Sequence, residues 1–97
     1  MQPAKKIEIV TVSVEVERLC RALDKQGVSG YTVVEDVVGK GHRGKRRGDE
    51  LTDVFKNAYI FTVVTPELVE PIVEAVRPIL QRYGGVCLVS DVQSIGH

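Results

Sequence analysis

Ten consecutive residues, Gly39-Lys40-Gly41-His42-Arg43-Gly44-Lys45-Arg46-Arg47-Gly48, hold four glycines, five Lys or Arg side chains and no apolar side chain. Glycine lets a backbone come close to an anion, while Lys brings charge and Arg brings charge with a forked pair of donors. A stretch of this composition builds no core. It predicts a mobile loop that meets something negative. Gly39 and Gly41 fall where a strand leaves its sheet, a place where free backbone N–H groups can form an anion nest. Lys40 and Arg43 would close on a phosphate or carboxylate there, with Arg46 and Arg47 reaching farther, to the same ligand or to a partner protein.

Other chemistry is sparse. His42 sits in the basic loop and His97 ends the chain, so no set of His, Cys, Asp and Glu has metal-ligand spacing. Cys20 and Cys87 lie among apolar neighbours and read as buried thiols in a reducing compartment rather than a disulfide. Asp49, Glu50 and Asp53 read as a solvated loop. Gly39-Lys40-Gly41 is too short for a P-loop and precedes no helix. These features point to binding and away from catalysis: not an enzyme.

The loop stands out against a balanced background. The 97 residues carry 13 basic and 13 acidic side chains, and 43% are hydrophobic, with Val, Ile and Leu dominant. Gly39 to Glu50 alone has five basic against two acidic residues, so the rest of the chain carries −3. One basic loop on a neutral domain suits a local anion site better than a surface that coats nucleic acid. No stretch approaches the ~20 apolar residues of a membrane span. Met-Gln-Pro-Ala-Lys-Lys runs directly into a strand and leaves no room for a signal peptide, so a cytoplasmic location is expected.

The elements that must position the loop form two similar halves. Lys6 to Ser13 reads as a strand, and Ser13 as the cap of a helix with Val16, Leu19, Cys20 and Leu23 on one face and Gly27 just past its end. Tyr31 to Val38 is a second strand and Ala58 to Val64 a third. Thr65-Pro66-Glu67 reads as a capped helix start, followed by an apolar stripe of Val69, Ile72, Val73, Val76, Ile79 and Leu80. Pro71 and Pro78 predict a kinked or partly irregular helix. Gly84-Gly85 ends it and Val86 to Val92 is the fourth strand. The tandem predicts one α+β domain over residues 1–97, a ferredoxin-like βαββαβ sandwich with both helices on one sheet face. Valine on both faces of the strands predicts that the other face is covered by further subunits.

Taken together, these motifs resemble the PII-type signalling proteins. Gly27-Val28-Ser29-Gly30-Tyr31-Thr32-Val33 is similar to the family's Gly-x-x-Gly-Met-Thr-Val, and Gly39-Lys40-Gly41-His42-Arg43 stands where the family has Gly-Phe-Gly-Arg-Gln at the base of its T-loop. The intervening spacing is one residue longer, which predicts a bulge. Val63-Val64-Thr65-Pro66 and Val89-Ser90-Asp91-Val92 extend the likeness over nearly the whole chain.

The resemblance implies a homotrimer with adenine nucleotides in clefts between neighbours and a T-loop, here about 39–57, that grips partner proteins. By position, Tyr31, Thr32 and Val63 would face the adenine; Gly39, Lys40, Gly41, His42 and Arg43 would flank the phosphates. Gly84, Gly85 and Val86 would come from the neighbouring subunit's B-loop. Lys40, Gly41, Arg43 and Arg46 are the candidate anion ligands, for phosphate or bicarbonate. Val86 stands about where the family has a phosphate-binding lysine, and His97 near one arginine's place. Fewer cations favour ADP or AMP over ATP, each lost charge-assisted contact removing about 1.5–3 kcal/mol. The pattern is closest to the PII-like proteins of inorganic-carbon metabolism, the carboxysome-associated and bicarbonate-transporter-associated members. That implies a partner of either kind, with no further cofactor required. The competing readings are a small nucleic-acid-binding module using the basic loop, an acylphosphatase-like hydrolase and a metal-tolerance type trimer. The first lacks an aromatic residue in the loop for base stacking, and the second lacks a suitably placed asparagine.

Overall fold

The computed structural model describes residues 1–39 and 56–96. Four strands form one antiparallel sheet in the order β2-β3-β1-β4, with β1 Gln2–Val12, β2 Thr32–Val37, β3 Asn57–Val64 and β4 Val86–Ser94. Helices α1 (Val16–Lys25) and α2 (Val69–Tyr83) supply the other half of the predicted sandwich. Ile7 and Ile9 of β1, Leu19 and Leu23 of α1, Ile60 of β3 and Ile72 and Val76 of α2 form the core, each at most 1% exposed. Full burial of such a side chain contributes about 1.5–3 kcal/mol. Strand alternation does the sorting: Ile7, Ile9 and Thr11 go inward, while Lys6, Glu8 and Val10 take the opposite phase.

Several local expectations need correction. Strand β1 begins at Gln2 rather than Lys6, because residues 2–5 pair with Asp91–Ser94 of β4, which is correspondingly longer than expected. Pro3 is tolerated because pairing with β3 starts only at Lys5↔Val64, so the missing N–H costs no second ladder bond. Neither expected cap forms through its side chain. The chain enters both helices through short 3-10 turns, Ser13–Glu15 and Pro66–Leu68. The Ser13 N–H instead donates to the Lys56 carbonyl (2.8 Å). The helix α2 runs unbroken through Pro78. Pro71 lies in its first turn, where a backbone N–H has no intrahelical acceptor, so only Pro78 removes a bond.

Other expectations hold. Gly27 (φ +81°) closes α1, its N–H reaching the Asp24 carbonyl at 3.0 Å. Gly84 (φ +84°) and Gly85 (φ +128°) end α2. The bulge lies in β2: Val34 pairs with Tyr59 and Val37 with Asn57, so three steps on one strand match two on the other. Asp36 takes up the extra residue at φ +59°, and its carboxylate is 3.9 Å from Lys56 Nζ. Among the described residues, no helix is long and apolar enough to cross a membrane.

Candidate functional site at the two sheet edges

Among the described residues, the predicted binding residues fall into two groups that do not meet within one chain. Tyr31, Thr32 and Gly39 belong to or flank β2, at one edge of the sheet, and Val63 lies on the adjoining β3. Gly84, Gly85 and Val86 lead into β4 at the opposite edge. With β3 and β1 between them, the edge strands β2 and β4 are about 14 Å apart at the ordinary strand spacing. Lys40, Gly41, His42, Arg43 and Arg46, with the T-loop they belong to, lie outside the described residues.

Tyr31 and Thr32, expected to act together, diverge. Tyr31 packs against the core from the helix side, and its hydroxyl lies 3.4 Å from Asp24 Oδ2 on α1. Hydrogen bonding with the Cys20 side chain, then burial and the Cys20 and Asp24 charges, push its phenol up to about 12. Thr32 is exposed on the other phase, and Val63, also exposed, shares the outer face. The backbone beside them is held from inside, where the buried Thr62 hydroxyl donates to the Gly30 carbonyl at 2.6 Å. At the β2 edge, therefore, Thr32 and Val63 are presented outward while Tyr31 braces α1.

The opposite edge is shaped by contact with β1. The buried Thr11 hydroxyl donates to the Gly84 carbonyl (2.8 Å), and the Gly84 N–H donates to Leu80 of α2 (2.8 Å). A Cβ on Gly85 would run into the Val10 carbonyl oxygen, far inside van der Waals contact, so only glycine permits this approach. Val86 follows, 43% exposed and opposite Val10. Beneath the turn, a groove of about 450 Å³ runs between α2 and β4, lined by Gly85, Val86, Cys87 and Val89 with Arg77 and Gln81. Two cations come from α2. Arg77 is tied to Glu74 at 3.0 and 3.4 Å, and Arg82 lies 5.5 Å from the centre of the Tyr83 ring.

Cys20 and Cys87 are free thiols, each part-buried rather than fully enclosed. Burial pushes the Cys87 thiol up, and the Arg77 charge pulls against it. Among the described residues, no three His, Cys, Asp or Glu side chains gather as a metal site would need. Sequence reasoning passed over Thr11, which fixes the Gly84 turn. A threonine in phase with Ile7 and Ile9 was its signal, since a buried hydroxyl needs a partner.

The family model described as Nitrogen regulatory protein P-II matches residues 4–96. The chain belongs to the P-II family. Among solved structures it is similar to CPII, a nitrogen regulatory PII-like protein of Thiomonas intermedia K12 bound to ADP, AMP and bicarbonate. That match has 33% identity and a TM-score of 0.81, covering 98% of this chain and 94% of that one. It is also similar to a PII-like signaling protein structure from Thermus thermophilus (26% identity, TM-score 0.76, 97% and 91% covered). The GlnK–ATP complex of B. subtilis matches at 26% identity and a TM-score of 0.69, over 95% of this chain and 84% of that one. The ferredoxin-like arrangement is thus the P-II fold, and the chain is a PII-like regulator.

Proposed function

We propose that this P-II protein is a homotrimeric sensor of adenine nucleotides, favouring ADP or AMP over ATP, with bicarbonate as a second ligand. Each nucleotide lies between the β2 edge of one copy and the Gly84–Val86 turn of the next, and the T-loop carries the signal to a protein target in inorganic-carbon metabolism. One observation carries this reading: the two halves of the binding motif lie at opposite edges of a single sheet. A contact that joins unlike edges is heterologous, and where its rotation closes it generates a ring. A half-site on each edge then becomes a whole site at every junction.

The ligand preference follows from the charges. Val86 brings no cation to the turn, Arg77 is already occupied by Glu74, and Arg82 lies over the Tyr83 ring. A γ-phosphate would therefore meet less compensation here than an α- or β-phosphate near the loop base. The CPII structures support the choice of ligands, with ADP and AMP bound alongside bicarbonate in one and alongside acetate in another. Both of those anions are small and planar, and both suit backbone N–H groups combined with Arg or Lys.

Calorimetry with AMP, ADP, ATP and cyclic AMP, each with and without bicarbonate, tests the reading on the purified chain. ADP or AMP should bind more tightly than ATP. Gly41→Asp should weaken that binding at least tenfold while native mass spectrometry still records a trimer. A monomeric chain that gives no heat with any adenylate would end this reading.

A further inference from the structure

Two buried threonines repeat one arrangement on the two central strands. Thr11 of β1 and Thr62 of β3 are 1% and 2% exposed, in phase with the core residues on the helix side of the sheet. The β1–β4 ladder ends at Val10↔Val86, so Thr11 stands one step on, opposite Gly85. The β3–β2 ladder ends at Thr32↔Phe61, which places Thr62 opposite Tyr31 in the same way. Each hydroxyl donates to the carbonyl just before that opposite residue, Thr11 to Gly84 at 2.8 Å and Thr62 to Gly30 at 2.6 Å. A side chain thus carries each ladder one step past its last pair.

A trans peptide is planar, with its N–H directed opposite to its C=O. Neither of these two peptides is cis. Holding the Gly84 carbonyl toward β1 therefore turns the Gly85 N–H off the β4 edge of the sheet. Holding the Gly30 carbonyl toward β3 likewise turns the Tyr31 N–H off the β2 edge. Glycine on both sides leaves the Gly84–Gly85 peptide with little local preference, so an outside bond decides how it is oriented.

We propose that Thr11 and Thr62 are the positioning residues of the adenylate site, each shaping the half-site that the neighbouring edge strand carries. The inference rests on the shared-site reading above and adds what holds each half in shape. Both hydroxyls act through the peptide they bond and not by touching the ligand. Without the hydroxyl, the carbonyl must turn toward water to recover a partner, and the N–H of the same peptide turns with it. The two threonines of one chain then serve two different sites. Every junction takes Thr62 from the copy that lends its β2 edge and Thr11 from the copy that lends its turn.

Calorimetry with ADP on the full chain tests this, with native mass spectrometry to record the assembly. Thr11→Val and Thr62→Val keep the side-chain shape and remove the donor, and each should weaken ADP binding about tenfold. Thr11→Ser and Thr62→Ser keep the hydroxyl and should bind within about twofold of the unaltered protein. Thr11→Ala or Thr62→Ala takes the place of a Val variant that fails to fold. The two Val chains are also produced together, so that they assemble with one another. About one junction in four then joins an intact Thr62 half to an intact Thr11 half, and those sites should recover full affinity although no chain is unaltered. Val variants that bind ADP as the unaltered protein does would overturn the proposal. So would Ser variants as weak as the Val ones, or a mixture without tight sites, which would trace the loss to a general loosening of each chain. An unaltered protein that gives no heat with ADP would instead overturn the shared-site reading, and this proposal with it.

Discussion

The two faces of the sheet solve the burial of polar groups in opposite ways. On the helix side, the fully buried polar side chains of the strands include two threonines, whose hydroxyls are spent on main-chain carbonyls, Thr11 on Gly84 and Thr62 on Gly30. Those bonds hold turns in place and are complete within one chain. On the outer side, the polar groups are charged, bonded to one another and set among half-exposed valines and aromatic rings. The helix side belongs to a finished core. The outer side has the composition of an interface, with its charges compensated in advance.

Substitutions that separate stability from assembly sharpen this contrast, and the largest effect comes first. Ile7→Ala, at a site with no exposure, should cost about 2–5 kcal/mol of folding stability in urea denaturation. Leu88→Ala, half-exposed on the outer face, should cost under about 1 kcal/mol in dilute protein yet weaken the self-association proposed above. Equal costs at the two sites would erase the distinction between the faces. Next is Gly85→Ala, which combines a positive φ with a contact against Val10, and should lower stability by about 2–3 kcal/mol. A variant with an unchanged unfolding midpoint would mean that the Gly84–Gly85 turn is not held by β1.

The smallest effect is spectroscopic. Tyr31 is pushed up to about 12 through Cys20, burial and Asp24, and Tyr59 is raised through its bond to Glu8. A tyrosine of the unfolded chain loses its proton near pH ~10. Both groups therefore support the fold fully below that pH, and their contributions are lost as pH climbs through their raised values, toward about 12 for Tyr31. Phenolate absorbance should lag the unfolded chain over that window, and Cys20→Ala should bring one tyrosine back toward the ordinary range. A titration that this variant leaves untouched would remove Cys20 from the Tyr31 environment.

Most of the architecture was legible in the residues. Apolar runs gave each strand, the Leu19–Leu23 spacing gave α1, and Gly27 and Gly84 marked the helix ends. The one-residue surplus before Gly39 foretold the bulge. What escaped were features that depend on pairing across distance. Ser13 and Thr65 looked like caps because a cap is judged from its own neighbours, whereas the Ser13 N–H is claimed by Lys56, far along the chain. Lys6 and Glu8 read as ordinary strand polar residues until the register set them beside Phe61 and Tyr59. The residue types of the candidate site carry no hint of its layout, since strand order alone divides the described candidates between the two sheet edges.

The bulge at Asp36 resets the pleat. Val37 stands three residues beyond Val34 yet opposite Asn57, two before Tyr59, so an odd step on one strand meets an even step on its partner. Phase is thus corrected before the chain departs the sheet. The strand therefore leaves the sheet with Val37 in step with Asn57, as though the extra residue had never been inserted.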